Sequence, residues 1–312
     1  MPECPEITIL SQYLSMYLRN KTFEKLEVVS GKYLTHPIGN INKLSGKRHY
    51  KITEISSKGK LLWFKLKGDD DMIIYLTSHL GMTGFWNFGD PDELEPSDRA
   101  RIIISDRKGE KFVLCYRDPR NFGNIEIYDD TDEFANKIAE LAPDALKENF
   151  TNEKFLNLYT SYMKKSAKRR SQNICIVLMK QKKSEGIISG IGNYLVAEIL
   201  YVAKISPYRT MRSLSENEIA TLWYAIQYVT KLSYYNNRTG YMTHFDGYTA
   251  EHKKMIDDGE LPNYHEGIKL RKTDKFVFKV YQQDYDPDGN AVIADRGIHG
   301  DRTTYWVGAV QV

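Results

Sequence analysis

Cysteine is scarce in this 312-residue chain. Cys4, Cys115 and Cys175 are odd in number and far apart, which supports neither a disulfide framework nor a paired zinc knuckle. No run approaches the roughly eighteen consecutive apolar residues of a membrane helix, so a transmembrane span is excluded. Neither a fixed-period repeat nor a low-complexity tract is present. With 41% hydrophobic and 27% charged residues, the composition is that of a globular protein and excludes a disordered or collagen-like chain. The N-terminal string MPECPEITIL places carboxylates where a secretory signal has a basic region and an apolar stretch, so an intracellular protein is expected. The length suits two domains of roughly 100–200 residues each.

Charge of one sign is not in large excess, but the net +3 is unevenly spread. Residues 1–150 carry 21 Lys and Arg against 24 Asp and Glu, and residues 151–312 carry 23 against 17. A basic second half fits a polyanion surface, although most such lysines serve only to solvate a face.

Periodicity divides the chain. Ile7, Leu10, Leu14 and Tyr17 recur at helical spacing, predicting an amphipathic helix from Glu6 to about Leu18. From about Glu24 to Tyr128, β-branched and aromatic runs such as KLLWFKL, DMIIYL, RIIIS and KFVLCY alternate with Gly, Asp and Pro, which predicts a β-sandwich. The period then lengthens to about 3.6, with a hinge expected around Leu141–Asn152. The end returns to alternation, with Phe276, Phe278 and Val280 on one face, a DPDGN turn at Asp286–Asn290 and a short VIAD strand. The expected class is therefore α+β with two domains: 1–140 a sandwich with a leading helix, 141–265 helical, and 266–312 a hairpin appended to it.

Pro2 stands out chemically. Without the initiator Met it is a free secondary amine, and an α-amino group titrates near 7.7–8.0, so a useful fraction is a neutral nucleophile. Attack on a sugar aldehyde carbon gives an iminium that acidifies the neighbouring C–H. A helix start next to it favours carboxylates at Glu3 and Glu6, and Glu3 is a candidate general acid. Proline and acids are also ordinary helix-start residues.

Six strings bear on that choice: PECPE, GKLLWFKL with Lys60, TSHLGMTG, YRDPRNFG, SGIGNYLVAEIL and GDRTTYW. Together, and in order over nearly the whole chain, they resemble the Fpg/Nei family of DNA glycosylase/AP lyases. The resemblance implies that Pro2 attacks C1′ of a damaged nucleotide, that Glu3 handles protons at the sugar and base, and that Glu6 orders the N-terminus. Lys60, on its strand, reaches a phosphate, and His79 helps hold the DNA backbone. Met82, Arg120 and Phe122 fill the gap left by an everted base, whose extraction costs a few kcal/mol. For Met82 and Phe122 the plain alternative is core packing. Asn121 stands where many members have a second Arg. The glycines of SGIGN and Asn193, read as a helix cap facing a phosphate, resemble the helix-two-turn-helix. Lys164, Lys165, Lys168, Arg169 and Arg170 form a basic cluster that touches phosphates, serves as a nuclear address or is merely solvated.

Residues 266–312 contain no cysteine and one histidine, His299, too few for a four-ligand structural zinc. This end resembles the zincless finger of the Nei-like branch, including giant-virus relatives, with Arg302 as the finger arginine and packing through Phe276, Phe278 and Tyr305 holding the hairpin. The expectation is a metal- and cofactor-independent monomer acting on double-stranded, single-stranded or bubble DNA at its site in nucleus or cytoplasm. It would remove oxidised pyrimidines, formamidopyrimidines and hydantoins and cut the strand by β,δ-elimination, with 236–263 as the lesion-facing loop. A rival from another class is a non-catalytic binder of damaged DNA or junctions with the same fold.

Overall fold

The computed structural model describes residues 2–44, 49–148, 151–235, 248–271, 273–298 and 302–312. The chain divides into two compact units, Met1–Pro2 with Glu6–Ala139, and Glu3–Pro5 with Glu140–Val312. Residues 236–247 of the expected lesion-facing loop 236–263, and His299, lie outside the described residues.

Helix α1 runs Cys4–Leu18, two residues earlier than the apolar stripe alone indicated. Ile7, Leu10, Leu14 and Leu18 are buried, whereas Tyr17 is 43% exposed. The stripe closes on Leu18, and the Tyr17 ring instead lies against Tyr13 and Phe88.

The sandwich expected from alternation is realised as one hydrogen-bonded sheet of eight strands. In chain order these are β1 (Thr22–Val28), β2 (Tyr50–Lys58), β3 (Leu61–Gly68), β4 (Ile73–His79), β5 (Phe85–Gly89), β6 (Asp98–Ser105), β7 (Lys111–Arg117) and β8 (Asn124–Tyr128). They lie in the order β5-β7-β6-β1-β2-β3-β4-β8, every pair antiparallel. Strand β3 shows the two-residue logic: Leu62, Phe64 and Leu66 are buried, while Lys65 and Lys67 alternate onto the other face. There Trp63 and Tyr75 receive Phe134 of α2 (Thr131–Glu140), which stacks on Tyr75 with centroids 3.7 Å apart.

The second unit is built on α3 (Asn152–Lys164), α4 (Ala167–Arg170), α5 (Ile174–Leu178), α6 (Asn193–Ala203), α7 (Glu216–Tyr235) and α8 (Tyr248–Asp257), followed by a hairpin of β9 (Ile293–Asp295) and β10 (Thr304–Trp306). Ser215 and Glu218 open α7 with a reciprocal capping box: the Glu218 carboxylate accepts from Ser215 N–H at 2.7 Å, and the Ser215 hydroxyl accepts from Glu218 N–H at 3.3 Å. The expected turn at Asp286–Asn290 is present, closed by Gly289 N–H to Asp286 O at 3.0 Å.

The alternating stretch Phe276–Val280, in contrast, is not a strand. Its neighbouring amides are spent elsewhere, because N–H groups of Lys279, Val280 and Tyr281 all donate to the Glu198 carboxylate of α6 at 3.0–3.1 Å. The rings of Phe276 and Phe278 pack on Tyr194, 5.8 and 5.6 Å between centroids. Tyr281 joins them to Tyr305 of the hairpin at 5.2 Å. A two-stranded hairpin is marginal alone, and this aromatic cluster supplies its support.

Candidate active site

Pro2 and Glu3, the two residues immediately before α1, are buried. Glu3, wholly inaccessible, projects onto the start of α6. Its carboxylate accepts from the backbone N–H groups of Gly192 at 2.5 Å, Tyr194 at 3.0 Å and Leu195 at 3.3 Å. These are the donors that a helix N-terminus leaves without an intrahelical partner, and the dipole there favours an anion. Thus the acceptor bound at this helix start is the protein's own carboxylate. Asn193 is not the cap expected from the sequence. The N-cap position is Gly192, and the Asn193 amide instead donates to Thr303 O at 3.0 Å, tying α6 to the hairpin next to exposed Arg302. Glu6 is buried in the first turn of α1.

The turn ahead of α6 is held by Gln181, which sequence reasoning missed. Its side-chain oxygen accepts from Gly190 N–H at 2.7 Å, and its amide donates to Ile191 O at 3.0 Å. Gly190 sits at φ 98°, a backbone conformation that only glycine adopts without strain. Glu198 was also missed. A lone carboxylate inside the apolar run YLVAEILYVA was the available signal, since a buried charge requires partners.

In the first unit, Lys60 is not within a strand. Lys58 pairs with Leu61, so Gly59 and Lys60 form the two-residue turn, with Gly59 at φ 57° where such turns need glycine. The register sets Leu61 opposite His79, the last residue of β4. His79 Nδ1 accepts from Gly81 N–H at 3.2 Å. That bond requires the neutral ring with its proton on Nε2. Although His79 is exposed at the end of β4, desolvation by the surrounding chain, and then the nearby Lys60 charge, hold its pKa below the usual histidine range.

Met82, Arg120 and Phe122 come together. Met82 is 40% and Phe122 61% exposed, so neither is a core residue, and the Arg120 guanidinium donates to the Met82 sulfur at 3.8 Å. Two glycines bring their loops into backbone contact. A Cβ on Gly81 would stand 2.7 Å from Gly123 N, and one on Gly123 would stand 1.7 Å from the Tyr116 hydroxyl. Asp118 fixes the second loop by accepting from Gly123 N–H at 2.7 Å and the Thr83 hydroxyl at 3.1 Å. Its place in DPRNFG is the turn signal that could have identified it. Asn121, where an arginine was the family expectation, has φ 61°, a conformation asparagine tolerates well.

The basic cluster is partly committed. Arg169 lies over the Tyr162 ring at 4.8 Å and donates to Ser184 O at 2.6 Å. Among the described residues no group of three or more His, Cys, Asp or Glu could hold a metal ion. No helix of the described residues is long and apolar enough to cross a membrane.

A two-unit α+β fold, with exposed loop tips on the sheet unit and a carboxylate-capped helix in the other, defines a class that comparison with known proteins identifies. Three family models match: the formamidopyrimidine-DNA glycosylase N-terminal domain over residues 1–125, its H2TH domain over 141–243 and its C-terminal domain over 266–312. The chain belongs to the formamidopyrimidine-DNA glycosylase family. It is 32% identical over 238 residues to the formamidopyrimidine-DNA glycosylase of Carboxydothermus hydrogenoformans, covering 74% of this chain and 77% of that one. It is 28% identical over 248 residues to that of Prochlorococcus marinus, covering 75% and 80%. Among solved structures, Lactococcus lactis Fpg in complex with abasic-site DNA matches with a TM-score of 0.69 at 22% identity over 99% of both chains. Thermus thermophilus MutM matches with 0.67 at 23%, over 99% of this chain and 98% of that one.

Proposed function

We propose that the protein is a bifunctional DNA glycosylase/AP lyase using Pro2 as nucleophile. The observation that carries this reading is the Glu3 carboxylate, which sits beside Pro2 in sequence and is fixed by three backbone N–H groups. An anion held this rigidly needs no reorganisation when charge develops next to it. In the proposed reaction the Pro2 nitrogen bonds to C1′ as the N-glycosidic bond breaks and the base leaves with a proton. Opening of the sugar at its ring oxygen, with Glu3 handling the proton, yields an iminium. Loss of a C2′ proton then expels the 3′ phosphate, and a second elimination expels the 5′ phosphate.

Met82, Arg120 and Phe122 are the proposed wedge. They are exposed without being needed for packing, and a thioether, a guanidinium and a ring recover part of the stacking lost on base eversion. Neutral His79 offers its Nε2–H to a phosphate, with Lys60, Asn193 and Arg302 as further backbone contacts and Glu6 as a support for the N-terminus. The proposed substrates are duplex, bubble or single-stranded DNA carrying oxidised pyrimidines, formamidopyrimidines or hydantoins. The proposed hairpin class is the zincless, Nei-like one, because residues 266–312 lack the ligands for a zinc site. The proposed division is 1–140, 141–265 and 266–312, acting as a monomer within the cell.

A cleavage panel tests this reading. Duplexes carrying a hydantoin, an oxidised pyrimidine, a formamidopyrimidine and intact 8-oxoguanine are incubated with enzyme and the product ends resolved. The first three should be cut to gaps bearing phosphates at both ends, with 8-oxoguanine slowest. Tight binding without any cleavage would favour the non-catalytic reading.

A further inference from the structure

The backbone in front of α6 carries both residues that follow Pro2. Besides the three N–H groups that meet the Glu3 carboxylate, the Gly190 carbonyl accepts from Cys4 N–H at 3.0 Å. A helix start cannot hold itself, because its first N–H groups have no intrahelical partner. Gly190, at φ 98°, lies in a bend outside any helix or strand. Whatever braces that bend decides where Glu3 stands.

Gln181 braces it with a single side-chain amide. The oxygen accepts from Gly190 N–H at 2.7 Å, and the nitrogen donates to Ile191 O at 3.0 Å and to Met179 O at 2.7 Å. Its own main chain is anchored as well, since Ala142 N–H donates to Gln181 O at 2.9 Å. Ser189 ties the other end of the loop to the same 142–145 segment: its N–H donates to Pro143 O at 2.7 Å, and its carbonyl accepts from Ala145 N–H at 2.9 Å. The flanking Lys180 and Lys182 reach instead for Glu185 and Glu140. Bracing a peptide N–H and the next carbonyl together requires a donor and an acceptor side by side on one planar group, which an amide supplies and an ammonium does not.

We propose that Gln181 is a positioning residue for the excision reaction: it sets the Gly190–Leu195 backbone that holds Glu3 and Cys4, and through them the orientation of Pro2. The inference rests on the reading of Pro2 and Glu3 given above. Gln181 itself meets no substrate. It keeps the Glu3 carboxylate fixed where charge develops, and a displaced reacting group loses rate rather than affinity.

The test is a double-mutant cycle on the whole chain. Single-turnover excision and equilibrium binding are measured with an oxidised-pyrimidine duplex for wild type, Gln181→Met, Glu3→Gln and the double variant. Gln181→Met should slow excision about tenfold or more while duplex affinity changes by less than about twofold. In the Glu3→Gln background the same substitution should cost less than about threefold, because its effect runs through the carboxylate. Equal losses in both backgrounds, or a loss of affinity as large as the loss of rate, would overturn the proposal. Gln181→Glu keeps the acceptor for Gly190 N–H and goes through the same cycle should Gln181→Met fail to fold. Hydrogen exchange at the Gly192, Tyr194 and Leu195 amides reads the brace without any activity and should quicken in either variant. Wild-type protein that excises nothing takes down the reading of Pro2, with exchange still deciding what Gln181 holds. Unchanged exchange in the variants overturns the Gln181 assignment whatever the protein excises.

Discussion

Helix α6 and the Met82–Arg120–Phe122 tips obey opposite rules. Around α6, two buried carboxylates, Glu3 and Glu198, each accept three or more hydrogen bonds from backbone N–H groups, so charge is buried only where it is fully matched. At the tips, large apolar side chains stand in solvent on loops locked by Gly81, Gly123 and Asp118. One region spends its polar groups on the fold, and the other withholds its apolar groups from it. Substitutions should therefore separate stability from function.

The largest effect is expected at Glu198. Replacing it by Ala strands three amides at the base of the hairpin, at about 1–3 kcal/mol for each buried donor left unmatched, and thermal unfolding should show a loss of several kcal/mol. Glu3→Gln retains the shape but loses the charge at the start of α6. It should lower excision about 100-fold or more, with a smaller loss of about 1–2 kcal/mol in stability. An active Glu3→Gln variant would show that the carboxylate only caps a helix.

Acidification probes the buried region as a whole. His252 and His265 are buried neutral, their pKa values pushed down to about 4 by desolvation. The unfolded chain therefore binds more protons between pH 6.5 and 4, and stability falls as pH falls through that window. From pH 7 to 5 each histidine should cost about 2 kcal/mol, and His265→Gln should flatten the melting-temperature profile. The smallest stability effect is expected at the tips. Phe122→Ala and Met82→Ala should change stability by less than about 0.5 kcal/mol while weakening lesion excision about tenfold. A clear drop in melting temperature would return these side chains to the core.

The same contrast governs what the sequence made legible. Period-two runs such as Leu62–Phe64–Leu66 identified the sheet because each strand buries one face, and the stripe of α1 was readable for the same reason. Phe276–Val280 alternates equally well, yet Glu198, some eighty residues earlier, captures its neighbouring amides; a long-range polar contact leaves no local period. The motif strings named Met82, Arg120 and Phe122, and the structure sets Arg120 against Met82 on loops that meet at Gly81 and Gly123. Glu3 was singled out for chemistry, but its grip on α6 was invisible because its acceptor role depends on a helix start nearly two hundred residues away. Asn193 was misread as the cap for that reason: the carboxylate already fills the position.

The most direct test of the central claim is borohydride reduction of the protein with an abasic-site duplex, followed by digestion and mass spectrometry of the attachment point. The account predicts a single adduct on the Pro2 nitrogen, absent from protein that retains Met1. An adduct confined to a lysine, or full-rate base excision by the Met1-retaining protein, would contradict it.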